Sequence, residues 1–146
     1  MGLENGLVVI PKTEKGKDFL ESFYPSSLID EAEWKENPWN KEWDFTYWRK
    51  CWNIRSKFLQ EFHDKYDEDK QEIVFTLKDI PRIILTLKYF LKAKNWEVDG
   101  NSIWEWHEGL PQIAEAIHYL WVLLDHGYER ERITDEDIEI YFYDSY

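Results

Sequence analysis

A chain of 146 residues with 18 lysines and arginines against 30 aspartates and glutamates carries a net charge of −12 and holds one cysteine. That length buries a core in one domain, residues 1–146, without disulfides or metal, and the charge repels nucleic acid and anionic membranes while drawing basic partners. The lone Cys51 excludes an internal disulfide and fits a reducing, cytoplasmic setting; the polar opening MGLENGLVVIPK reads as no signal peptide, and the apolar run around Tyr119–Leu124 is too short to span a membrane.

Along the chain, Leu7-Val-Val-Ile10, closed by Pro11, predicts a short edge strand or a strap on the core. Phe19, Leu20 and Phe23 set a helix over 15–24, which Pro25 ends. Ser27-Leu-Ile-Asp30 has the form of a capping box opening a short helix toward Trp34, and residues 35–43 read as a tryptophan-bearing loop. A long helix is predicted from Phe45 to Tyr66, with Trp48, Trp52, Leu59, Phe62 and Tyr66 in one stripe and Tyr47, Cys51, Ile54 and Phe58 beside it. Residues 64–72 form a charged loop.

Phe75-Thr76-Leu-Lys-Asp79-Ile80 reads as a capping box with a hydrophobic staple, starting a helix to about Lys94 that buries Ile80, Ile83, Ile84, Leu87, Phe90 and Leu91. Asp99-Gly100 marks a turn, and Ser102–Glu105 caps one or two helical turns that carry Trp104 and Trp106. From Leu110 to Gly127 the apolar positions 113, 114, 117, 120, 121 and 124 make a face wider than half the cylinder. That predicts a mostly buried central helix, with Pro111 in its first turn and Gly127 as a left-handed cap. Ile133-Thr134-Asp-Glu-Asp137-Ile138 repeats the grammar of Phe75–Ile80 and predicts a closing helix; the alternation of Ile138, Ile140 and Phe142 argues instead for a strand pairing with Leu7–Ile10. Taking the helix, the expected fold is mainly α: an antiparallel bundle of three long helices plus short ones, with a short edge strand at the N-terminus.

At Asp44–Phe58, DFTYWRKCWNIRSKF, the chain resembles a group of small phage- and prophage-encoded helical proteins with a YWRK motif, here Tyr47-Trp48-Arg49-Lys50. The likeness extends to Ile73–Leu91 and Ser102–Leu124 and departs from the group's pattern at residues 92–109. It implies a mobile-element context and no mechanism.

The candidate sites are few. Glu115 and His118 form Glu-x-x-His, half of a carboxylate-bridged di-iron motif, but no second copy exists, so a polar notch is the plainer reading. Asp64, Asp67, Asp69 and Glu72 resemble a calcium loop but lack its glycine and its closing glutamate. Cys51 beside Arg49 and Lys50 lacks a positioned base and reads as core. Arg49, Lys50, Arg55 and Lys57 form an acid-free basic run, either a solvated face or an anion or phosphate contact that would bring direct nucleic-acid binding.

Nine Trp, nine Tyr and eight Phe make 18% of the chain, more rings than a core this small hides, so some are expected at an interface. Trp34, Trp39, Trp43, Trp104 and Trp106 are the candidates. The expected function is a non-enzymatic, acidic interaction protein binding a basic protein partner through aromatic surface, one form of it a nucleic-acid-mimicking inhibitor, with a homodimer also expected. No catalytic residue, metal or cofactor is assigned; the alternative is a metal-dependent or acid/base enzyme using Glu115 and His118.

Overall fold

Leu7 and Val9 near one end of the chain, and Ile138, Ile140 and Phe142 near the other, repeat with the period of two that lays one side of a strand on a core. In the computed structural model, which describes residues 4–24, 43–49, 52–92 and 103–145 (side chains at 43, 44, 47, 49 and 103–110 excepted), these residues form neighbouring strands. Strand β1 (Glu4–Pro11) pairs antiparallel with β5 (Ile138–Ser145) over its whole length, Leu7 opposite Phe142 and Val9 opposite Ile140. Strand β2 (Trp43–Arg49) takes the other edge of β1, with a register skip between Leu7 and Val8 that leaves Phe45 as the extra residue of a bulge. Strand β4 (Glu72–Phe75) pairs with β5, and β3 (Tyr66–Asp67) with β4, giving the order β2-β1-β5-β4-β3.

Helices α1 (Glu14–Glu21), α2 (Trp52–Glu61), α3 (Ile80–Lys92) and α4 (Ile103–Val122) pack on one face of this sheet. Leu20, Ile54, Phe58, Ile83, Leu87, Phe90, Ile113 and Leu120 bury against Leu7, Val9, Ile73, Ile140 and Phe142. The aromatic centre is Phe58, stacked on Phe142 at 4.5 Å between centroids, with Trp48 at 6.0 Å and Phe62 at 6.2 Å. Each such pair adds about 1 kcal/mol beyond its burial. On the other face the Tyr143 ring covers Gly6, where a Cβ would lie 2.7 Å from the ring.

Among the described residues the fold is therefore a mix of antiparallel sheet and helices, and the expected mainly-α helical bundle is wrong. Trp43, Phe45, Thr46, Tyr47 and Trp48 are β formers, so Tyr47-Trp48-Arg49 of the YWRK segment lie in a strand rather than at a helix start, and α2 spans Trp52–Glu61. The expected stripe through Trp48, Trp52 and Leu59 gives way to Ile54 and Phe58 as the buried α2 positions, and Trp52 is exposed. The N-terminal strand is central, not an edge, because β2 and β5 cover both its sides. Part of the charged loop is a hairpin, β3–β4, with Asp67 Oδ1 accepting from the backbone N–H groups of Asp69 and Lys70.

The helix expected over 110–127 and the short one before it are one helix, α4, with Pro111 inside it, and Leu123–Tyr128 continues as a π-helical turn. Gly127 serves close packing rather than a left-handed cap: a Cβ there would stand 2.8 Å from Ile133. Ala114 and Trp121 face outward, so the buried stripe of α4 is narrower than its composition suggests.

The two Thr-x-x-Asp segments share one local geometry and end differently. Asp79 accepts from the Thr76 N–H (2.8 Å) and hydroxyl, and a 3-10 turn, Leu77–Asp79, leads into α3. Asp137 accepts from the Thr134 N–H (2.9 Å) and hydroxyl, yet β5 comes next. The closing helix is thus a strand, because Ile138, Ile140 and Phe142 have a sheet edge to complete. The segments also touch: the Leu77 N–H donates to Asp135 Oδ1 at 2.7 Å. Among the described residues no helix is long and apolar enough to cross a membrane. The expected features at Ser27–Asp30, 35–42 and 99–102 lie outside the described residues.

Candidate functional site

Two residues apart on a helix, side chains point to different sides, and α2 uses this to divide Arg55 from Lys57. Arg55 turns toward the sheet. Its Nε donates to Asp144 Oδ1 at 2.8 Å, Asn5 Nδ2 donates to the same oxygen at 3.0 Å, and the Tyr66 hydroxyl donates to Oδ2 at 2.7 Å. The Asp144 side chain is wholly buried, so these charge-assisted bonds replace its hydration. They tie α2, β1, β3 and β5 together at one end of the sheet. Beside them Asn5 Oδ1 and Trp48 Nε1, on residues paired across β1 and β2, are buried without hydrogen-bond partners among the described residues.

Lys57 turns outward. Its ammonium lies 2.8 Å from Glu61 Oε1 and 4.4 Å from the centre of the Tyr89 ring on α3. Arg82 reaches back from α3, donating from Nη2 to the Glu61 carbonyl at 2.6 Å and lying 4.5 Å over the Phe62 ring. The hydrogen bond and charge of Lys57 hold the Glu61 carboxyl below its ordinary pKa, with Arg82 adding to the effect. Thr86, buried in α3, donates its hydroxyl to the Arg82 carbonyl at 2.9 Å. Between the helices these residues and Leu85 line a groove of about 230 Å³. Leu85 is 67% exposed and Tyr89 53%, one helical turn apart. Cation-braced walls around an exposed apolar pair suit binding.

Two further carboxylates are structural. Burial raises the pKa of Asp79, but bonds from Lys65 and Thr76 outweigh it and the net shift is downward. At Asp137 burial is likewise outweighed, by the Thr13 hydroxyl at 2.8 Å, by Thr134 and by Lys15. Thr13 is also the N-cap of α1, accepting from the Gly16 N–H at 3.1 Å.

Of the residues expected to matter, Arg55 and Lys57 part company across α2. Trp34, Trp39, Lys50 and Cys51 lie outside the described residues; Trp43 and Arg49 lie in β2, and Trp104 and Trp106 in α4, with their side chains outside the description. Glu115 and His118 are exposed on α4, and Glu115 adds to the burial that raises the Tyr119 hydroxyl pKa. Among the described residues no three His, Cys, Asp or Glu side chains converge as a metal site.

Unexpected from the sequence is the exposed apolar set: Leu85 and Tyr89, with Trp52, Val74, Leu91 and Trp121 elsewhere on the surface. Leu91 was expected in the core of α3; Thr86 is there instead, its hydroxyl satisfied by the helix backbone. A signal did exist. In IPRIILTLKYFLK, Leu85 and Tyr89 form a second apolar pair at i, i+4, off the 80-83-84-87 stripe.

No family model, curated protein or solved structure matches this chain.

Proposed function

We propose that this chain is a non-enzymatic protein-docking domain whose contact surface is the outer face of α2 and α3. The observation that carries the reading is the exposure of Leu85 and Tyr89 beside a groove whose walls are already braced by Lys57, Glu61 and Arg82. Apolar anchors flanked by arginine and fixed in advance lose little entropy on binding, the usual make-up of an interface hot spot. The enzymatic alternative has less support: Glu115 and His118 stand on an exposed face, while Asp79, Asp137 and Asp144 are engaged in holding the fold.

The lone Cys51 supports a cytoplasmic setting, and the YWRK resemblance a mobile-element origin. The test is affinity capture from the native host with three proteins: wild type, the double variant Leu85→Asp/Tyr89→Asp, and Val74→Asp as an exposed control. A partner held by wild type and Val74→Asp and lost by the double variant is expected. A partner that the double variant retains contradicts the assignment. Stoichiometric metal in protein purified without added metal would favour the enzyme.

A further inference from the structure

The chain is strongly acidic, yet α2 and α3 carry Arg55, Lys57, Arg82, Lys88 and Lys92 against a single acid, Glu61. Arg55 is turned inward to Asp144, and Lys57 neutralises Glu61. Arg82 bonds a carbonyl rather than a carboxylate and acts on Glu61, already paired with Lys57, only through its field. Lys88 and Lys92 are exposed, form no ion pair with a described residue, and share the outer face with Leu85 and Tyr89 by their spacing. The outer face is therefore a positive, apolar island on an acidic protein.

At physiological salt, charges more than about 8 Å from a contact are screened, so a partner seated in the groove meets the island rather than the overall charge. Resting on the docking reading above, we propose that the groove between α2 and α3 receives an acidic amphipathic segment of a partner protein. Apolar side chains of the segment lie on Leu85 and Tyr89, and its carboxylates face Arg82, Lys88 and Lys92. The partner for this face is thus acidic, the opposite of what net charge alone suggests.

Single-stranded nucleic acid fits less well. Leu85, the most exposed large apolar side chain among the described residues, offers no ring to stack on, Lys57 already covers one face of Tyr89, and the rest of the chain repels phosphates.

The test uses the full chain and three labelled probes: a peptide of about 20 residues with leucines at helical spacing and glutamates elsewhere, its counterpart with lysine for every glutamate, and an oligothymidylate. Binding is read from backbone amide shifts of residues 52–61 and 80–92, since a lysine peptide also meets the acidic remainder of the surface. The acidic peptide is expected to bind this face at least about tenfold more tightly than either other probe. Leu85→Asp abolishes that binding, and Lys88→Glu/Lys92→Glu inverts the preference toward the lysine peptide. Both substitutions are at exposed positions, and an unchanged thermal melt confirms that each variant folds. Equal or tighter binding of the lysine peptide or the oligothymidylate at this face overturns the acidic-partner assignment and leaves the docking surface standing. No probe shifting these amides overturns both. Sedimentation of the protein alone, showing a dimer that Leu85→Asp dissolves, would assign the face to a second copy and also overturn the proposal.

Discussion

Arg55 and Lys57 belong to one helix and one basic run, and their surroundings give them opposite roles. Arg55 faces a wholly buried carboxylate that also takes bonds from Asn5 and Tyr66; Lys57 stands at the rim of a solvent groove over Tyr89. A cation committed to a buried acid holds strands together and is lost to recognition. Lys57, paired with the exposed Glu61 and resting over the Tyr89 ring, braces the wall of the groove instead of the sheet. Charge counted along a sequence does not separate the two cases; the side of the helix does.

The division is broken most directly at Asp144. Asp144→Ala leaves Arg55 facing a void and removes the acceptor for two other donors, and is expected to cost about 3–5 kcal/mol, read from the urea midpoint. A loss below about 1 kcal/mol would mean that the network does not hold the sheet. Arg55→Met keeps the stem packing and the bonds from Asn5 and Tyr66, so about 2 kcal/mol is expected.

Acid separates the inner and outer carboxylates. Asp79 and Asp137 have folded pKa values below their ordinary ones, so their contribution is fully present above the ordinary aspartate range, near pH 4, and is lost as pH falls through the folded values. Asp79→Asn/Asp137→Asn should lower stability at neutral pH and flatten the acid loss. Glu61 is also shifted down, but it is exposed and its pair with Lys57 is solvated. Glu61→Gln should leave the acid curve nearly unchanged; a flattening as large as that of the inner pair would erase the distinction. Smallest of all, Lys57→Ala, which removes a half-buried stem and a solvated ion pair, should cost no more than about 1 kcal/mol, and Leu85→Asp, at a position that faces solvent, less than about 0.5 kcal/mol.

How much of this was legible in the sequence varies by element. Helix α1 was, because Phe19 and Leu20 have no rival period. So was the start of α3, where Thr76 and Asp79 form the bonds that their spacing demands. The same spacing at Thr134 and Asp137 misled, because the capping geometry fixes only one turn. Whether a helix or a strand grows from that turn depends on a strand being there to pair with, and β1 lies more than a hundred residues away in sequence. Strand β2 failed similarly: Trp48, Trp52, Phe62 and Tyr66 fit a helical period by coincidence, although Trp43, Phe45, Thr46, Tyr47 and Trp48 are strong β formers. Within the site, Arg55 and Lys57 were both named, and only their division was hidden. Leu85 and Tyr89 were visible as an i, i+4 pair but were not singled out.

The central claim is that the outer face of α2 and α3 docks a partner while the inner network holds the fold. Hydrogen exchange on the full chain, with and without the captured host partner, tests it most directly. Added protection is expected only at residues 52–61 and 80–92, with β1 and β5 unchanged. Protection at the sheet or at α4, with none on α2 and α3, would contradict it.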